Sequence, residues 1–228
     1  MNIAIIPARG GSKRIPRKNI KLFNGKPIIA YSIESAIKSQ CFDRVIISTD
    51  DKEIAEIAIQ YGAEVPFMRP AHIADDYATT LDVMHHAVTQ LDQEEHFENV
   101  CCIYATAPFV TPGQLREGIR LLKAESADYV FPIAEFTSPI QRALLRDSKG
   151  FLSMTVPEHL NSRSQDLREA YYDTGQFYWG KVSAFLNNTS IYSDKSLGLR
   201  LGKYSCVDID DLEDWAIAEF LYDYRASQ

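Results

Sequence analysis

Short apolar runs alternate with amphipathic stretches along most of the chain. Ile3–Pro7 is a continuous apolar run, typical of a buried strand. Pro27–Lys38 has isoleucines at helical spacing behind a proline that suits a helix start. Arg44–Thr49 has strand composition, and Asp51–Tyr61 predicts a helix that is capped by its aspartate and stopped by Gly62. The N-terminal part therefore predicts the order β-α-β-α.

The same alternation continues to about residue 133. The pattern predicts a short strand, a helix, a central strand, a helix and a fifth strand over Val65–Met68, Leu81–Leu91, Val100–Ala105, Pro112–Lys123 and Tyr129–Ile133. Strands and helices that alternate with short connections favour a parallel sheet with helices on both faces. The predicted fold class is therefore α/β with a mostly parallel sheet.

The alternation breaks from about Thr137 to Asp173, where polar, aromatic and arginine residues mix. We interpret this segment, which we call the excursion, as a departure from the main sheet that serves dimerisation. Strand character returns at Gln176–Lys181, another strand is expected over Leu199–Ile209, and an amphipathic helix over Leu212–Tyr224. Because no repeat, low-complexity tract or linker divides the chain, we expect one domain over residues 1–228.

Composition narrows the class of protein mainly by exclusion. The chain has 228 residues, of which 46% are hydrophobic and 24% are charged, as in ordinary globular enzymes. No apolar run approaches the roughly 20 residues that span a bilayer, and the start lacks a signal-peptide pattern. The four cysteines have no metal-ligand spacing and are expected to be buried, reduced thiols. We therefore expect a cytoplasmic protein that does not bind membranes.

Charge is distributed unevenly along the chain. The net charge of −7 argues against a general nucleic-acid-binding protein. Residues 1–33 nevertheless contain seven lysines and arginines and no acidic residue, so this segment carries +7. Such a concentration predicts a small polyanion bound at one place, although a solvated basic surface would have the same composition.

The strongest chemical signal is PARGGSKRIPRKN, Pro7–Asn19, which we call the first loop. Gly10 and Gly11 let the backbone approach a ligand and present amide groups to phosphate oxygens. Arg9 and Lys13 supply positive charge, and the serine between them can donate a hydrogen bond. Neither the P-loop spacing nor the dinucleotide-binding fingerprint is present. In a parallel sheet, this loop and those after the second and central strands should form the ligand site.

The first loop resembles the signature [LP]-A-R-x-x-S-K-x-x-P-x-K-N of the CMP-sugar synthetases that act on nonulosonic acids and related keto-deoxy sugars. Further similarity covers VIISTDD, RPAHIADD, TAP and VDIDDLEDW at Val45–Asp51, Arg69–Asp76, Thr106–Pro108 and Val207–Trp215. The resemblance implies a Rossmann-like α/β fold, usually dimeric. It also implies transfer of CMP from CTP to an acidic nine-carbon sugar, with Mg²⁺ as cofactor and release of pyrophosphate.

The resemblance implies a nucleotide-binding set. Its members are Ala8, Arg9, Gly10, Gly11, Ser12, Lys13, Lys18, Asn19, Arg69, Ala78, Thr79 and Thr80. Arg9, Ser12 and Lys13 would hold the triphosphate, and the two cations among them are also predicted to be catalytic. Asn19 would contact the ribose, and Arg69 would help to read cytosine.

Asp208 and Asp210, which we call the acidic pair, are the predicted metal ligands and the other predicted catalytic residues. Residues i and i+2 of a strand face the same side, and two carboxylates with substrate phosphates make a typical Mg²⁺ site. A helix cap before Leu212 could use Asp210 or Asp211, but it would leave Asp208 unexplained. Asp208 is also the candidate for assisting deprotonation of the attacking anomeric hydroxyl.

The middle of the chain carries the signals for the sugar. NSRSQDL and YYDTGQFYWG, at Asn161–Leu167 and Tyr171–Gly180, resemble the branch that acts on pseudaminic acid. YATAP stands where the neuraminic-acid branch typically has QPTSP. The predicted sugar-binding residues are Tyr104, Thr106, Arg163, Gln165 and Gln176. Packing in the core or in a dimer would explain Arg163 equally well.

Three functions remain open at this point. The first is CMP transfer to pseudaminic acid, and the second is the same reaction on legionaminic, neuraminic or keto-deoxyoctulosonic acid. The third is a non-catalytic protein that binds CMP-sugars and regulates another process. A regulator would not need Lys13 together with the acidic pair, so the sequence favours an enzyme.

Overall fold

The computed structural model describes residues 1–75, 77–91, 95–202 and 204–227. These residues form six α-helices, eleven strands and five short 3-10 helices, joined by loops. The helices are α1 (Ile28–Ser39), α2 (Lys52–Gln60), α3 (Thr80–Leu91), α4 (Pro112–Ala124), α5 (Val182–Leu186) and α6 (Leu212–Ala226). The strands are β1 (Asn2–Pro7), β2 (Leu22–Phe23), β3 (Lys26–Pro27), β4 (Arg44–Ser48), β5 (Asn99–Ile103), β6 (Tyr129–Glu135), β7 (Leu144–Arg146), β8 (Leu152–Met154), β9 (Tyr171–Asp173), β10 (Phe177–Lys181) and β11 (Ser196–Arg200).

Seven of these strands form the central sheet of the described chain. Their order is β11-β6-β10-β5-β1-β4, and β9 pairs with β6. β1 is parallel to β4 and β5, and β6 is parallel to β11. β10 lies antiparallel between β5 and β6. The predicted mostly parallel sheet is confirmed, while the direction of β10 could not be read from its composition.

Alternate side chains of β1 explain why helices cover both faces of the sheet. Ala4 and Ile6 are buried in one apolar cluster with residues of α1, α2 and α4. Ile3 and Ile5 are buried in a second cluster, with residues of α3 and α5. Burial of apolar surface on both sides is the main source of stability, and it confirms the predicted two-sided arrangement.

Helix ends follow the predicted local chemistry. Asp51 caps α2 by accepting a hydrogen bond of 3.0 Å from the backbone N–H of Ile54. Gly62, just beyond the end of α2, has a φ of 92°, which only glycine adopts freely. Asp211 caps α6 and forms a reciprocal capping box with Asp214. The cap at Asp51 and the glycine stop are therefore confirmed, and of the two candidates before Leu212 it is Asp211 that caps α6.

The strand predicted over Val65–Met68 does not form. In this part of the described chain there are only two isolated bridges, one from Glu64 to Ile46 of β4 and one from Met68 to Thr49, just after β4. Pro66 lies between them and lacks the N–H that a continuous ladder needs. The prediction of a third strand here is wrong for that reason.

The strand predicted over Leu199–Ile209 is shorter and begins earlier than expected. β11 ends at Arg200, and a turn at Gly202 interrupts the extended backbone. Asp208 and Asp210 therefore lie on irregular backbone instead of a strand. Alternation along a strand is not what brings this pair together.

The excursion forms structure apart from the central sheet. β7 and β8 pair in a separate two-stranded sheet, and β9 then returns to pair with β6. Large apolar side chains on this segment remain exposed to solvent, among them Leu145, Phe151 and Leu160.

A third apolar cluster joins the C-terminal helix to the first loop. Ile15 of the loop packs in this cluster with Ile209 and with Trp215 of α6. Because Ile209 lies between Asp208 and Asp210, its burial fixes the acidic pair next to the first loop. This long-range packing creates the site described below.

Two further features bear on the class of protein. No helix within the described ranges combines the length and the apolar composition needed to cross a bilayer. None of the four cysteines is disulfide-bonded, and Cys101 and Cys102 are buried in β5, whereas Cys41 and Cys206 are only half-buried.

Candidate functional site

A cavity of about 240 Å³, which we call the sheet-edge cavity, lies beyond the carboxyl ends of β1 and β5. Parallel α/β sheets bind their ligands at this edge. Nine of the twelve predicted nucleotide-binding residues line the cavity, namely Arg9, Ser12, Lys13, Lys18, Asn19, Arg69, Ala78, Thr79 and Thr80. The fold therefore gathers side chains from the first loop, from the segment before α3 and from α3 itself around one space.

The other three members of that set, Ala8, Gly10 and Gly11, belong to the first loop but do not line the cavity. Ala8 is buried, and the N–H of Gly10 donates a hydrogen bond of 3.0 Å to Oδ1 of Asp50. A Cβ on Gly10 would come within 2.6 Å of the carboxylate of Asp51, whereas a Cβ on Gly11 would have no atom within 4 Å. Gly10 is therefore required for the close approach of the loop to the end of β4.

An ion-pair brace that the sequence did not indicate fixes the far end of the loop. Arg17 adopts a left-handed conformation with a φ of 56°, which is unfavourable for a residue with a side chain. Its guanidinium binds both carboxylate oxygens of Asp51 and lies 2.5 Å from the carboxylate of Glu53. Hydrogen bonding to Arg17 is the main reason why the pKa of Asp51 falls to about 2. We call this contact the Arg17 brace.

Arg69 presents a buried positive charge to the cavity. The residue is 6% exposed, and its Nε and Nη2 atoms have no hydrogen-bond partner within the described residues. Burial lowers the pKa of Arg69, and Asp50, whose Oδ1 is 3.9 Å from Nη2, partly opposes this effect. Buried donors without partners are unfavourable, so this guanidinium is suited to bind acceptor atoms of a ligand.

The acidic pair lies next to the cavity, and two cationic residues that line the cavity, Arg14 and Lys18, connect the two. Nη2 of Arg14 lies 2.6 Å from Oδ1 of Asp210, and the Lys18 ammonium donates to the carbonyl of Ile209 at 2.7 Å. Partial burial and the neighbouring Asp210 raise the pKa of Asp208. Burial lowers the pKa of Lys18. Loop cations and carboxylates thus form one continuous charged surface.

The donor set of the acidic pair fits a hard divalent cation. Mg²⁺ commonly takes one or two protein carboxylates and completes its shell with water and substrate phosphates. In the part of the chain that the structure describes, no group of three or more histidine, cysteine or acidic side chains could hold a metal ion by itself. Asp211 is engaged as the α6 cap, which leaves Asp208 and Asp210 as the available carboxylates.

Two predicted sugar-binding residues line the sheet-edge cavity. Tyr104 and Thr106 follow β5, and the Tyr104 hydroxyl lies 2.8 Å from the hydroxyl of Thr80. The Tyr104 ring packs edge-on against Tyr178, with ring centroids 5.8 Å apart. Tyr104 is therefore held in place at the border between the nucleotide set and the predicted sugar set.

The other three predicted sugar-binding residues do not line this cavity. Arg163 is exposed on the excursion and pairs with Asp166 at 2.7 Å, and Gln165 lies beside it. Gln176 is buried at the start of β10 and donates to the carbonyl of Ser205 at 3.0 Å. Contact between these residues and a sugar remains a prediction.

Similarity to known proteins extends over nearly the whole chain. The cytidylyltransferase family model matches residues 3–191. A pseudaminic acid cytidylyltransferase of Campylobacter jejuni subsp. jejuni serotype O:2 is 43% identical, covering 97% of this chain and 96% of that protein. A CMP-N,N'-diacetyllegionaminic acid synthase of Legionella pneumophila is 35% identical, covering 96% and 95%. The structure of CMP:2-keto-3-deoxy-manno-octonic acid synthetase complexed with CTP has the same fold, with a TM-score of 0.70 and 13% identity over 98% of this chain and 99% of that one.

Proposed function

The chain belongs to the cytidylyltransferase family, and from this premise we propose that it transfers CMP from CTP to the anomeric hydroxyl of pseudaminic acid, releasing pyrophosphate. The observation that carries the choice of sugar is the 43% identity, over nearly all of both chains, to an enzyme named for that sugar. The sheet-edge cavity supports the choice of donor. Arg9, Lys13 and Arg69 line it, and such a concentration of cations suits a nucleoside triphosphate.

The proposed reaction is an in-line displacement at the α-phosphorus of CTP. The anomeric oxygen forms a bond to phosphorus while the bond to the pyrophosphate group breaks and its electrons leave with pyrophosphate. Negative charge grows on the phosphoryl oxygens and on the leaving group, so cations fixed in advance should supply much of the rate enhancement. Arg9 and Lys13 are the proposed triphosphate ligands, and Arg69 is the proposed cytosine ligand.

Asp208 and Asp210 are proposed to hold Mg²⁺, which when bound would act as a Lewis acid on the phosphoryl oxygens. Asp208 is further proposed to accept the proton of the anomeric hydroxyl. Partial burial and Asp210 raise its pKa, which makes it a stronger base than an ordinary carboxylate. A cytoplasmic location is proposed together with this reaction, because CTP is made in the cytoplasm.

The test of this function is the identity of the product. Protein incubated with CTP, Mg²⁺ and one acid at a time, from pseudaminic, legionaminic, N-acetylneuraminic and keto-deoxyoctulosonic acid, is assayed by mass spectrometry. We expect CMP-pseudaminic acid and pyrophosphate, and no sugar nucleotide when UTP replaces CTP. Absence of any CMP-sugar would refute the reaction, whereas preference for another acid would refute the acceptor alone.

Discrimination between sugars should depend on buried hydrogen bonds. A site built for particular polar groups can reject an analogue by roughly 10⁴-fold. We expect kcat/KM for pseudaminate to exceed that for N-acetylneuraminate by at least about a hundredfold, well inside that limit. Tyr104→Gln should narrow this ratio, because Tyr104 lines the cavity, while Tyr104→Phe should retain more of it. An unchanged ratio in Tyr104→Gln would contradict the role of this residue.

The excursion is the proposed interface of a homodimer. Phe151, Leu152 and Leu160 are 72%, 63% and 62% exposed, and clustered exposed apolar side chains commonly mark protein interfaces. A two-fold dimer is the commonest closed arrangement. Light scattering at micromolar concentration should give twice the mass of the chain, and Phe151→Asp should reduce it. A monomeric wild-type protein would contradict the proposal.

A further inference from the structure

Arg14 occupies a position that the family signature leaves variable, yet it touches both halves of the site. Its side chain lines the sheet-edge cavity, and its Nη2 lies 2.6 Å from Oδ1 of Asp210. The Arg14 side chain is 65% exposed and that of Asp210 is 42% exposed. Ion pairs so open to water are weak, so this contact can exchange for another.

The charges around Arg14 indicate that its contact with Asp210 offsets negative charge at the acidic pair. The two carboxylates of the acidic pair repel each other, since Asp210 contributes to the raised pKa of Asp208. Lys18 donates to the backbone carbonyl of Ile209, so its hydrogen bond does not use the oxygens of the pair. Arg14 thus supplies a positive charge directly to Asp210 on the surface that is predicted to receive a divalent cation.

We propose that Arg14 is an exchangeable counter-ion. It neutralises Asp210 while the enzyme is free, and it moves to the triphosphate of CTP when a divalent cation takes its place at the acidic pair. This inference rests on the proposed function. The exchange needs no change of fold, because Arg14 already lines the same cavity as Lys13 and Lys18.

The physical reason for the exchange is competition between cations. A guanidinium and a divalent ion at the same carboxylate would repel each other strongly at such short range. Once displaced from Asp210, the guanidinium finds its nearest strong acceptors on the bound triphosphate, and arginine is well suited to phosphate. Removal of Arg14 should therefore have opposite effects on the two ligands. A residue that only shapes the loop would weaken the binding of both.

Two binding measurements test this prediction without turnover. Mn²⁺ serves as a paramagnetic probe, and its binding to nucleotide-free protein is followed by electron paramagnetic resonance. CTP binding is measured by calorimetry at saturating Mg²⁺ with no sugar present. Arg14→Met should bind Mn²⁺ about three- to fivefold more tightly, the range expected for loss of an exposed ion pair. It should bind CTP about tenfold more weakly, the effect of a lost charge-assisted hydrogen bond.

Two further variants separate exchange from general electrostatics. Arg14→Lys keeps the charge and should stay close to wild type in both measurements. Arg9→Met removes one charge from the same cavity, but Arg9 donates to the carbonyl of Asp75 at 2.9 Å. Its Mn²⁺ affinity should therefore stay near that of wild type. Circular dichroism confirms that each variant is folded, as expected for the exposed position of Arg14.

The outcomes distinguish this inference from the proposed function. Unchanged or weaker Mn²⁺ binding by Arg14→Met would overturn the counter-ion role, and so would an equal gain in Arg9→Met. Unchanged CTP binding by Arg14→Met would overturn the movement to phosphate. If wild-type protein bound Mn²⁺ but no CTP, the proposed function would fail, while the Mn²⁺ comparison would still decide whether Arg14 competes at Asp210.

Discussion

The substitution Asp51→Asn tests how much the negative charge of Asp51 contributes to stability through the Arg17 brace. Asparagine has nearly the same shape as aspartate and is an equally good helix cap, so the bond from Asp51 to the N–H of Ile54 can be retained. The substitution therefore removes the negative charge that faces Arg17 and leaves the start of α2 in place. We expect a less stable protein, because Arg17 loses the ionised partner that binds it through two oxygens and keeps only Glu53 among the described residues.

The magnitude follows from the pKa of Asp51. Hydrogen bonding to Arg17 is the largest of the causes that lower it from the ordinary 3.8 to about 2 in the folded protein. That difference corresponds to roughly 2 kcal/mol of stability, and the side chain is only 21% exposed, so solvent screens only part of it. A depressed pKa stabilises the fold above the ordinary value. The contribution is complete above pH 3.8 and is lost as the pH falls toward about 2.

Urea denaturation of wild type and Asp51→Asn over a pH series measures this contribution. At neutral pH the free energies of unfolding should differ by roughly 2 kcal/mol, which for a chain of this size is a change in Tm of about 4–8 °C. The difference should shrink below pH 3.8, where the wild-type carboxylate begins to be protonated in the unfolded state. Taking the difference between the two proteins cancels the titration of carboxylates that they share.

Two controls assign the effect to the brace. Asp50→Asn changes the neighbouring carboxylate, which accepts from the N–H of Gly10, whereas the Arg17 guanidinium binds Asp51 and Glu53. The stability difference of Asp50→Asn should therefore not follow the titration of Asp51. Arg17→Met combined with Asp51→Asn should be less destabilised than the sum of the single variants, because both remove one interaction. Equal stability of wild type and Asp51→Asn at neutral pH, or a difference that ignores pH, would refute the reasoning.

The remaining predictions concern the loop glycines and the reacting groups. Gly10→Ala should lower the free energy of unfolding by about 1–3 kcal/mol, because its Cβ would meet a carboxylate, whereas thermal melting of Gly11→Ala should match wild type. Lys13→Ala should lower kcat by about 10²–10³-fold with a smaller change in KM, and a rise in KM alone would contradict this. Asp208→Asn and Asp210→Asn should fold yet lose most turnover, and EDTA should abolish wild-type activity. Near-normal activity in both variants would exclude the metal assignment.

Features with a local cause could be predicted from the sequence. The cap at Asp51, the stop at Gly62 and the run Ile3–Pro7 depend on residues within one or two turns of each other, so a single chain segment reveals them. Val65–Met68 looked equally regular, but Pro66 removes a donor, and its effect depends on which neighbouring strand is available. The sequence alone does not show which strand lies beside this segment.

Features that join distant segments could not be predicted in the same way. Arg17 and Asp51 are far apart in sequence, and nothing in the spacing of either signals their ion pair. The acidic pair was identified by assuming a strand, yet it lies on irregular backbone that is held by burial of Ile209. The identities of Asp208 and Asp210 are recognisable by resemblance, whereas the placement of this pair is a consequence of tertiary packing.

The seven cations of residues 1–33 fall into two groups in the structure, one that stabilises the fold and one that lines the sheet-edge cavity. Arg17 binds the acidic start of α2, Lys26 pairs with Glu34 at 2.7 Å, and Lys21 lies over the ring of Trp215 at 4.6 Å from its centre. These three stabilise the fold around the loop. The remaining four line the sheet-edge cavity, namely Arg9, Lys13, Arg14 and Lys18. A solvated basic surface would not divide its charges in this way. Cations that are already oriented by their surroundings need little rearrangement when charge develops on a phosphoryl group, which favours a polyanion site over the solvated surface.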